Sequence, residues 1–194
     1  MDLLRLLDGG PDYAQAFIPL LTELFEVVFD FPKPLLAAVN GHAIAGGCVL
    51  ACAADHRIMA TGSGRMGIPE LHVGVPFPTL ALEIMRLISP PQHFQELFYG
   101  GATVLPEEAL RRGLVDELVE PTQLMNRAQA VLDHFLEIPA PAYALTKRQI
   151  RQPIHERNQA AFADFESTVQ QLWTQPETHA AIRAYAERTF KKQS

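Results

Sequence analysis

The amino-acid sequence predicts an α/β core over residues 1–121 followed by an all-helical region over residues 122–194. Three observations carry this reading. Leu35 to Val39 is a short, nearly unbroken apolar run, the pattern of a strand buried on both faces, and Asp55 to Ala60 reads as another strand. The segments around these strands carry apolar residues at helical spacing. From Pro141 onward the periodicity is helical throughout, so the chain is α/β first and all-helical afterwards.

Residues 11–30 place Phe17, Leu20, Leu21, Leu24 and Val28 on one helical stripe, with Pro11 near its start, where a missing N–H is tolerated. Phe31-Pro32-Lys33-Pro34 ends that helix, because proline removes a donor and restricts the residue before it. Asn40-Gly41 is a turn after the first strand. His42 to Gly47 then leads through a strand and a glycine loop into the N-terminus of a helix rich in Ala and Leu. After the strand at Asp55 to Ala60, Gly62, Gly64 and Gly67 predict a loop as far as Pro69-Glu70. Helices follow over 79–88 and 90–99. Pro106 to Arg112 forms a short helix with proline in its first turn and Gly113 just past its end. Leu114 to Val119 is a strand, and Leu124, Ala128, Val131, Leu132, Phe135 and Leu136 mark one face of a helix over 122–137. Three further helices span 141–151, 154–173 and 176–190, the last with Pro176 in its first turn.

With 48% hydrophobic and 20% charged residues, the 194-residue chain can bury a sizeable core. Its net charge of −6 and pI near 5.6 argue against a nucleic-acid partner, which requires a basic face. The basic concentration at Lys191-Lys192 reads as a solvated tail. No apolar run reaches the roughly 18 residues of a membrane span. Met1 to Arg5 lacks the basic and small-residue pattern of a signal peptide. Cys48 and Cys52, four apart in a predicted helix without a histidine at ligand spacing, read as small buried hydrophobes rather than a disulfide or metal site. These features predict a cytoplasmic protein of a reducing compartment, with no metal and no membrane contact.

Two features carry chemistry. Gly46-Gly47 at a helix N-terminus leaves backbone N–H groups unpaired and lets a ligand approach them, with the helix dipole favouring a negatively charged oxygen. On spacing alone the same glycines also read as an aid to close helix–strand packing. They fit neither the dinucleotide fingerprint nor a P-loop. Glu70 is a lone carboxylate in the apolar segment Gly67 to Val75, surroundings that raise a carboxyl pKa toward the range useful for proton transfer. Its other reading is a loop glutamate facing water or capping a helix. His42, His72 and Ser63 do not make a nucleophilic site, since no serine stands in G-x-S-x-G. His155 and His179 read as surface residues.

Lys33-Pro34-Leu35-Leu36-Ala37-Ala38-Val39-Asn40-Gly41-His42-Ala43-Ile44-Ala45-Gly46-Gly47-Cys48 resembles the signature of the crotonase (enoyl-CoA hydratase/isomerase) superfamily. Asp55 to Ala60, Gly67-Ile68-Pro69-Glu70-Leu71 and Ala109 to Asp116 resemble further family segments in the expected order. The resemblance implies a crotonase-like spiral of ββα units whose C-terminal helical region mediates assembly into homotrimers or hexamers. It implies an acyl-CoA thioester as substrate, with coenzyme A present only as part of that substrate and no other cofactor. It gives Gly46 the role of an oxyanion-hole N–H donor and Glu70 that of a catalytic carboxylate. Ile44 and Val49 are expected to form apolar wall. Arg188 is expected to meet a CoA phosphate, or to be a solvated helix charge.

Two departures from the family pattern shape the expected activity. Family hydratases carry a second glutamate at the position of Val49, so the resemblance implies Δ3,Δ2-enoyl-CoA isomerisation, which needs one base to move a proton between C2 and C4. Hydration, other acyl-CoA lyase or hydrolase chemistry, and a non-catalytic assembly subunit are the alternatives. Second, Met1-Asp2-Leu3 resembles the end of the family's S-A-G-x-D-L pattern, which supplies the other oxyanion N–H. The expectation is therefore a chain lacking the family's N-terminal portion, with half of its oxyanion hole and weak turnover. Tyr143, Leu145, Phe162, Phe165, Leu172, Trp173 and Tyr185 offer more apolar surface than short helices bury on themselves, which predicts self-association.

Overall fold

The computed structural model describes residues 2–190, so Met1 and Lys191-Lys192 lie outside the described residues. The chain begins with α1 (Leu3–Phe29) and then winds through two successive ββα units. The first is β1 (Leu36–Val39), β2 (Ala43–Ile44) and α2 (Gly46–Cys52); the second is β3 (His56–Ala60), β4 (Met66–Gly67) and α3 (Glu70–Val73). β1 pairs in parallel with β3 and β2 with β4, so the second unit stacks on the first as the next step of a spiral. Beyond α4 (Thr79–Ile88) and α5 (Pro91–Gly100), β5 (Thr103–Val104) joins β4 antiparallel. After α6 (Pro106–Arg111), β6 (Glu117–Val119) joins β3 in parallel.

The alternation of side chains along β1 and β3 explains why these strands read as continuous apolar runs. Ile58 and Ala60 pack with Leu36 and Ala38 against Leu124, Ala128 and Val131 of α7 (Leu124–Leu136). Met59 and Val39 point the other way, into the main core with Cys48, Val49 and Cys52 of α2 and Leu80 and Ile84 of α4. Both faces of the sheet are covered, as a parallel sheet requires. Cys48 and Cys52 are buried free thiols within that core.

Several boundaries differ from those read in the sequence. The helix expected from residue 11 starts at Leu3; it breaks at Gly10, whose φ of 63° is open to glycine, and resumes at Pro11. The strand expected over Leu114 to Val119 is confined to Glu117–Val119, with Leu114 and Val115 buried in the core instead. β4 and β5 are two residues each, too short for any periodicity to show.

The largest correction lies at Pro153, where a break between two helices was expected. One continuous helix, α8 (Ala140–Thr174), runs through it. Proline removes the bond to the carbonyl four residues earlier, but Pro153 and Gln149 are both exposed, so water can serve that carbonyl. Tertiary contacts hold the helix on either side. Arg151 pairs with Asp55 (2.7 Å), Arg157 bonds Glu83 (2.7 Å), and buried Glu166 accepts from the Thr79 N–H (3.3 Å) and hydroxyl (3.1 Å) at the start of α4. Further on, the Trp173 Nε1–H donates to Pro76 O (3.1 Å). α9 (Pro176–Phe190) folds back on α1 and α3. Among the described residues no helix is long and apolar enough to cross a membrane.

Candidate active site

The start of α2 is set by an unusual backbone. Ala45 has φ 57° and ψ −131°, a region that L residues rarely occupy and that costs roughly 1–3 kcal/mol. Its own N–H donates to Gly67 O of β4 (2.8 Å), and its carbonyl accepts from Cys48 N (2.8 Å) and Val49 N (3.2 Å). The amides of Gly46 and Gly47 therefore come before the first intrahelical donors, and no side chain caps them. A Cβ on Gly46 would sit 3.6 Å from Phe25 Cζ and 3.9 Å from Leu21 Cδ1, which are ordinary contacts. One on Gly47 would meet nothing within 4 Å. Close packing does not require these glycines. They keep the start of the helix bare.

Glu70 opens α3, directly after the loop from Gly67. Gly67 has φ 157°, and a Cβ there would collide with Ala102 O. The Glu70 backbone carbonyl accepts from Gly74 N and Val75 N, each at 3.0 Å, which closes the short helix and anchors the residue. Its side chain is left without such support. Glu70 is 9% exposed and its Oε2 is buried with no hydrogen-bond partner. Burial pushes its carboxyl from the ordinary 4.5 up to about 7, against a smaller lowering by its own backbone N–H.

Gly46, Val49 and Glu70 line one cavity of about 450 Å³. Ala45, Gly47 and Leu50 complete the α2 side. Leu20, Leu21, Leu24 and Phe25 of α1 form a facing wall, with Phe77 and Trp173 closing it. Glu70 is the one ionisable side chain among these lining residues. An isolated base beside bare helix N-terminal amides, in an apolar chamber, can move a proton while a developing negative charge on a bound oxygen is stabilised.

The other sequence-predicted residues are elsewhere. Ile44 is 36% exposed on β2 and does not line the cavity. Arg188 is exposed on α9 with its guanidinium 5.7 Å from the Tyr185 ring, also away from the cavity lining. His42 and His72 are exposed; His42 accepts from Arg65 N (3.2 Å) and His72 Nε2 lies 2.6 Å from Gly100 O. Ser63 is exposed. His155 and His179 are half-buried rather than superficial, bonded to Asp30 (2.8 Å) and Trp173 O (3.1 Å).

Sequence reasoning missed three parts of the site. The α1 stripe is visible in the sequence only as periodicity; Leu20 on it is 61% exposed and lines the cavity, so the chamber's wall is legible without its purpose. Trp173, on the segment read as a surface for assembly, is buried and contributes to the cavity instead. Ala45 carried no signal, since alanine does not announce a positive φ.

Comparison with known proteins follows this geometry. A family profile described as enoyl-CoA hydratase/isomerase matches residues 1–193. The chain is 36% identical over 121 residues to a short-chain-enoyl-CoA hydratase of Clostridium acetobutylicum, covering 62% of this chain and 46% of that protein. It is 29% identical over 153 residues to the mitochondrial enoyl-CoA delta isomerase 1 of Mus musculus, covering 78% of this chain and 53% of that one. The chain thus spans about half the length of the curated relatives it matches. Among solved structures, the human mitochondrial delta3-delta2-enoyl-CoA isomerase superposes with a TM-score of 0.89 over 100% of this chain and 76% of that one; at 23% identity it speaks for the fold.

Proposed function

Since the chain belongs to the enoyl-CoA hydratase/isomerase family, we propose that it binds an unsaturated acyl-CoA thioester and isomerises it by moving a proton between C2 and C4. The observation that carries this reading is the solitary Glu70 in an apolar cavity floored by the Gly46 amide, with Val49 where a second acid/base group would be needed for hydration. Ionised Glu70 takes a proton from C2 of a 3-enoyl thioester. The C–H electron pair moves into a C1–C2 double bond, and the carbonyl electrons move onto the thioester oxygen. The Gly46 N–H, at the positive end of α2, stabilises that oxyanion. Glu70, now a carboxylic acid, returns the proton to C4. The oxygen re-forms the carbonyl and the remaining double bond lies between C2 and C3.

The apolar walls serve this sequence in two ways. They keep water from the dienolate, and they hold the carboxyl near pKa 7, so that both its forms are populated near neutral pH. The test is a paired assay on one preparation, following loss of 3-enoyl-CoA and hydration of 2-enoyl-CoA. Isomerisation should exceed hydration, and Glu70→Gln should lower it by roughly 10²–10⁴-fold. Hydration outrunning isomerisation, or an active Glu70→Gln variant, refutes the reading.

A further inference from the structure

The cavity around Glu70 has two distinguishable ends. At one, Leu21 and Phe25 of α1 stand against Gly46, with Leu21 Cδ1 3.9 Å and Phe25 Cζ 3.6 Å from the place a Cβ would take. At the other, Phe17 and Trp173 belong to a different apolar cluster, packed with Val73 of α3 and Ile182 of α9. Phe17 precedes Leu21 by about one turn of α1 and Phe25 by about two, so the ends are roughly 6–12 Å apart along the helix. The opening to solvent lies to the side, where Leu20, Leu24 and Gly47 are exposed.

Trp173 is a fixed wall at its end. The side chain is buried, and its Nε1–H is engaged by Pro76 O (3.1 Å). About two turns earlier on α8, buried Glu166 accepts from the Thr79 N–H (3.3 Å) and hydroxyl (3.1 Å). α8 therefore grips the segment from Pro76 to Thr79 at two points, and the indole cannot swing away without breaking one of them. With its one donor turned to Pro76, the indole has only apolar ring surface to offer the cavity.

We propose that Trp173, backed by Phe17, is the specificity-determining end wall of the acyl subsite and restricts the substrate to a medium-length acyl chain. The inference rests on the acyl-CoA reading above. A thioester oxygen at the Gly46 amide places C1 at one end of the α1 stripe, and the chain runs along α1 toward the indole. An extended chain advances about 1.2 Å per bond, a third of the rise of an extended residue, so a path of about 6–12 Å takes roughly six to ten carbons. A longer chain must turn out past Leu20 into water or displace the indole from its bond to Pro76.

The experiment is calorimetry of the intact protein with saturated acyl-CoA thioesters of graded length, which bind without being turned over. Affinity should rise about fourfold for each added methylene, as apolar burial predicts, and stop rising near about ten carbons. Trp173→Phe and, separately, Phe17→Leu should each move that break about two carbons longer, with every affinity expressed relative to the four-carbon thioester of the same variant. A side chain with a merely structural role would weaken all lengths alike and leave the break where it is. Rates on 3-enoyl-CoA substrates of the same lengths should show the shift in KM rather than in kcat. A break that neither variant moves, or affinity that climbs evenly to about sixteen carbons, overturns the proposal and leaves the isomerase reading standing. The expected break without any isomerisation overturns that reading and leaves the wall standing, and no binding of any acyl-CoA overturns both.

Discussion

Replacing Glu70 with glutamine keeps the shape of the side chain and removes its titration, so its effect on folding should depend on pH with a definite sign. Burial raises the carboxyl from 4.5 to about 7 in the folded protein, while the unfolded chain keeps the ordinary value. Between those two values the folded state retains a proton that the unfolded state has released. The contribution of Glu70 to stability therefore falls as pH rises through this window, and that contribution is constant below and above it. The full penalty on the charged form corresponds to about 3 kcal/mol. Little of it is lost to solvent screening, because Glu70 is 9% exposed. Glutamine carries no such penalty. Urea unfolding of both proteins at fixed protein concentration, from about pH 4 to about pH 9, measures the difference. The gap should widen in favour of Glu70→Gln by about 3 kcal/mol over that range, with the change centred on the acidic side of neutrality. In the wild type, kcat/KM for isomerisation should rise through about pH 7 as the base ionises, so activity increases where stability is being lost. A stability gap that does not vary with pH would refute the assignment of Glu70 as a buried carboxyl whose burial outweighs the bond from its own backbone N–H.

Gly46→Ala separates the two readings of the glycine pair. The added methyl finds only ordinary contacts with Phe25 and Leu21, so stability should hold or rise by up to about 1 kcal/mol while kcat/KM falls at least about tenfold; a destabilised but fully active variant would restore the packing reading. Trp173→Ala should cost about 3–5 kcal/mol in urea unfolding, whereas Trp173→Phe, which loses chiefly the bond to Pro76 O, should cost about 1 kcal/mol. Phe162 and Phe165 are 48% and 59% exposed on α8, and we expect that face to be covered by a second copy of the chain. Sedimentation should show an oligomer that Phe162→Asp with Phe165→Asp dissociates, and a wild-type monomer at micromolar concentration would refute it.

What the sequence determined by itself is what short-range physics decides. Leu35 to Val39 and the strand at residues 56–60 are legible because a buried parallel strand needs apolar residues on both faces. Pro106 and Pro176 mark helix starts, and Pro11 the resumption of α1 after Gly10, because proline's fixed φ and missing donor suit a first turn. Gly46-Gly47 and Glu70 stood out because bare amides and a lone carboxylate are anomalies within apolar segments, whatever surrounds them. The tertiary structure decided how those anomalies are used. The stripe on α1 has the same periodicity whether it packs against a core or lines a chamber. Only the docking of α2, α4 and α8 against it leaves Leu20 and Leu24 facing the cavity that holds Glu70. Pro153 carries a strong local signal for a break, and that signal lost to ion pairs and core contacts on both sides of it. Ile44 and Arg188 have suitable chemistry for a wall and a phosphate contact, yet strand pairing and the return of α9 place them away from the cavity lining. Arg57 lies about ninety residues before Lys147 and Arg151, yet all three line one cavity because β3 and α8 pack around Asp55. Periodicity and turn chemistry are properties of neighbours in sequence; which faces meet, and what is enclosed between them, is settled by the burial of many distant side chains at once.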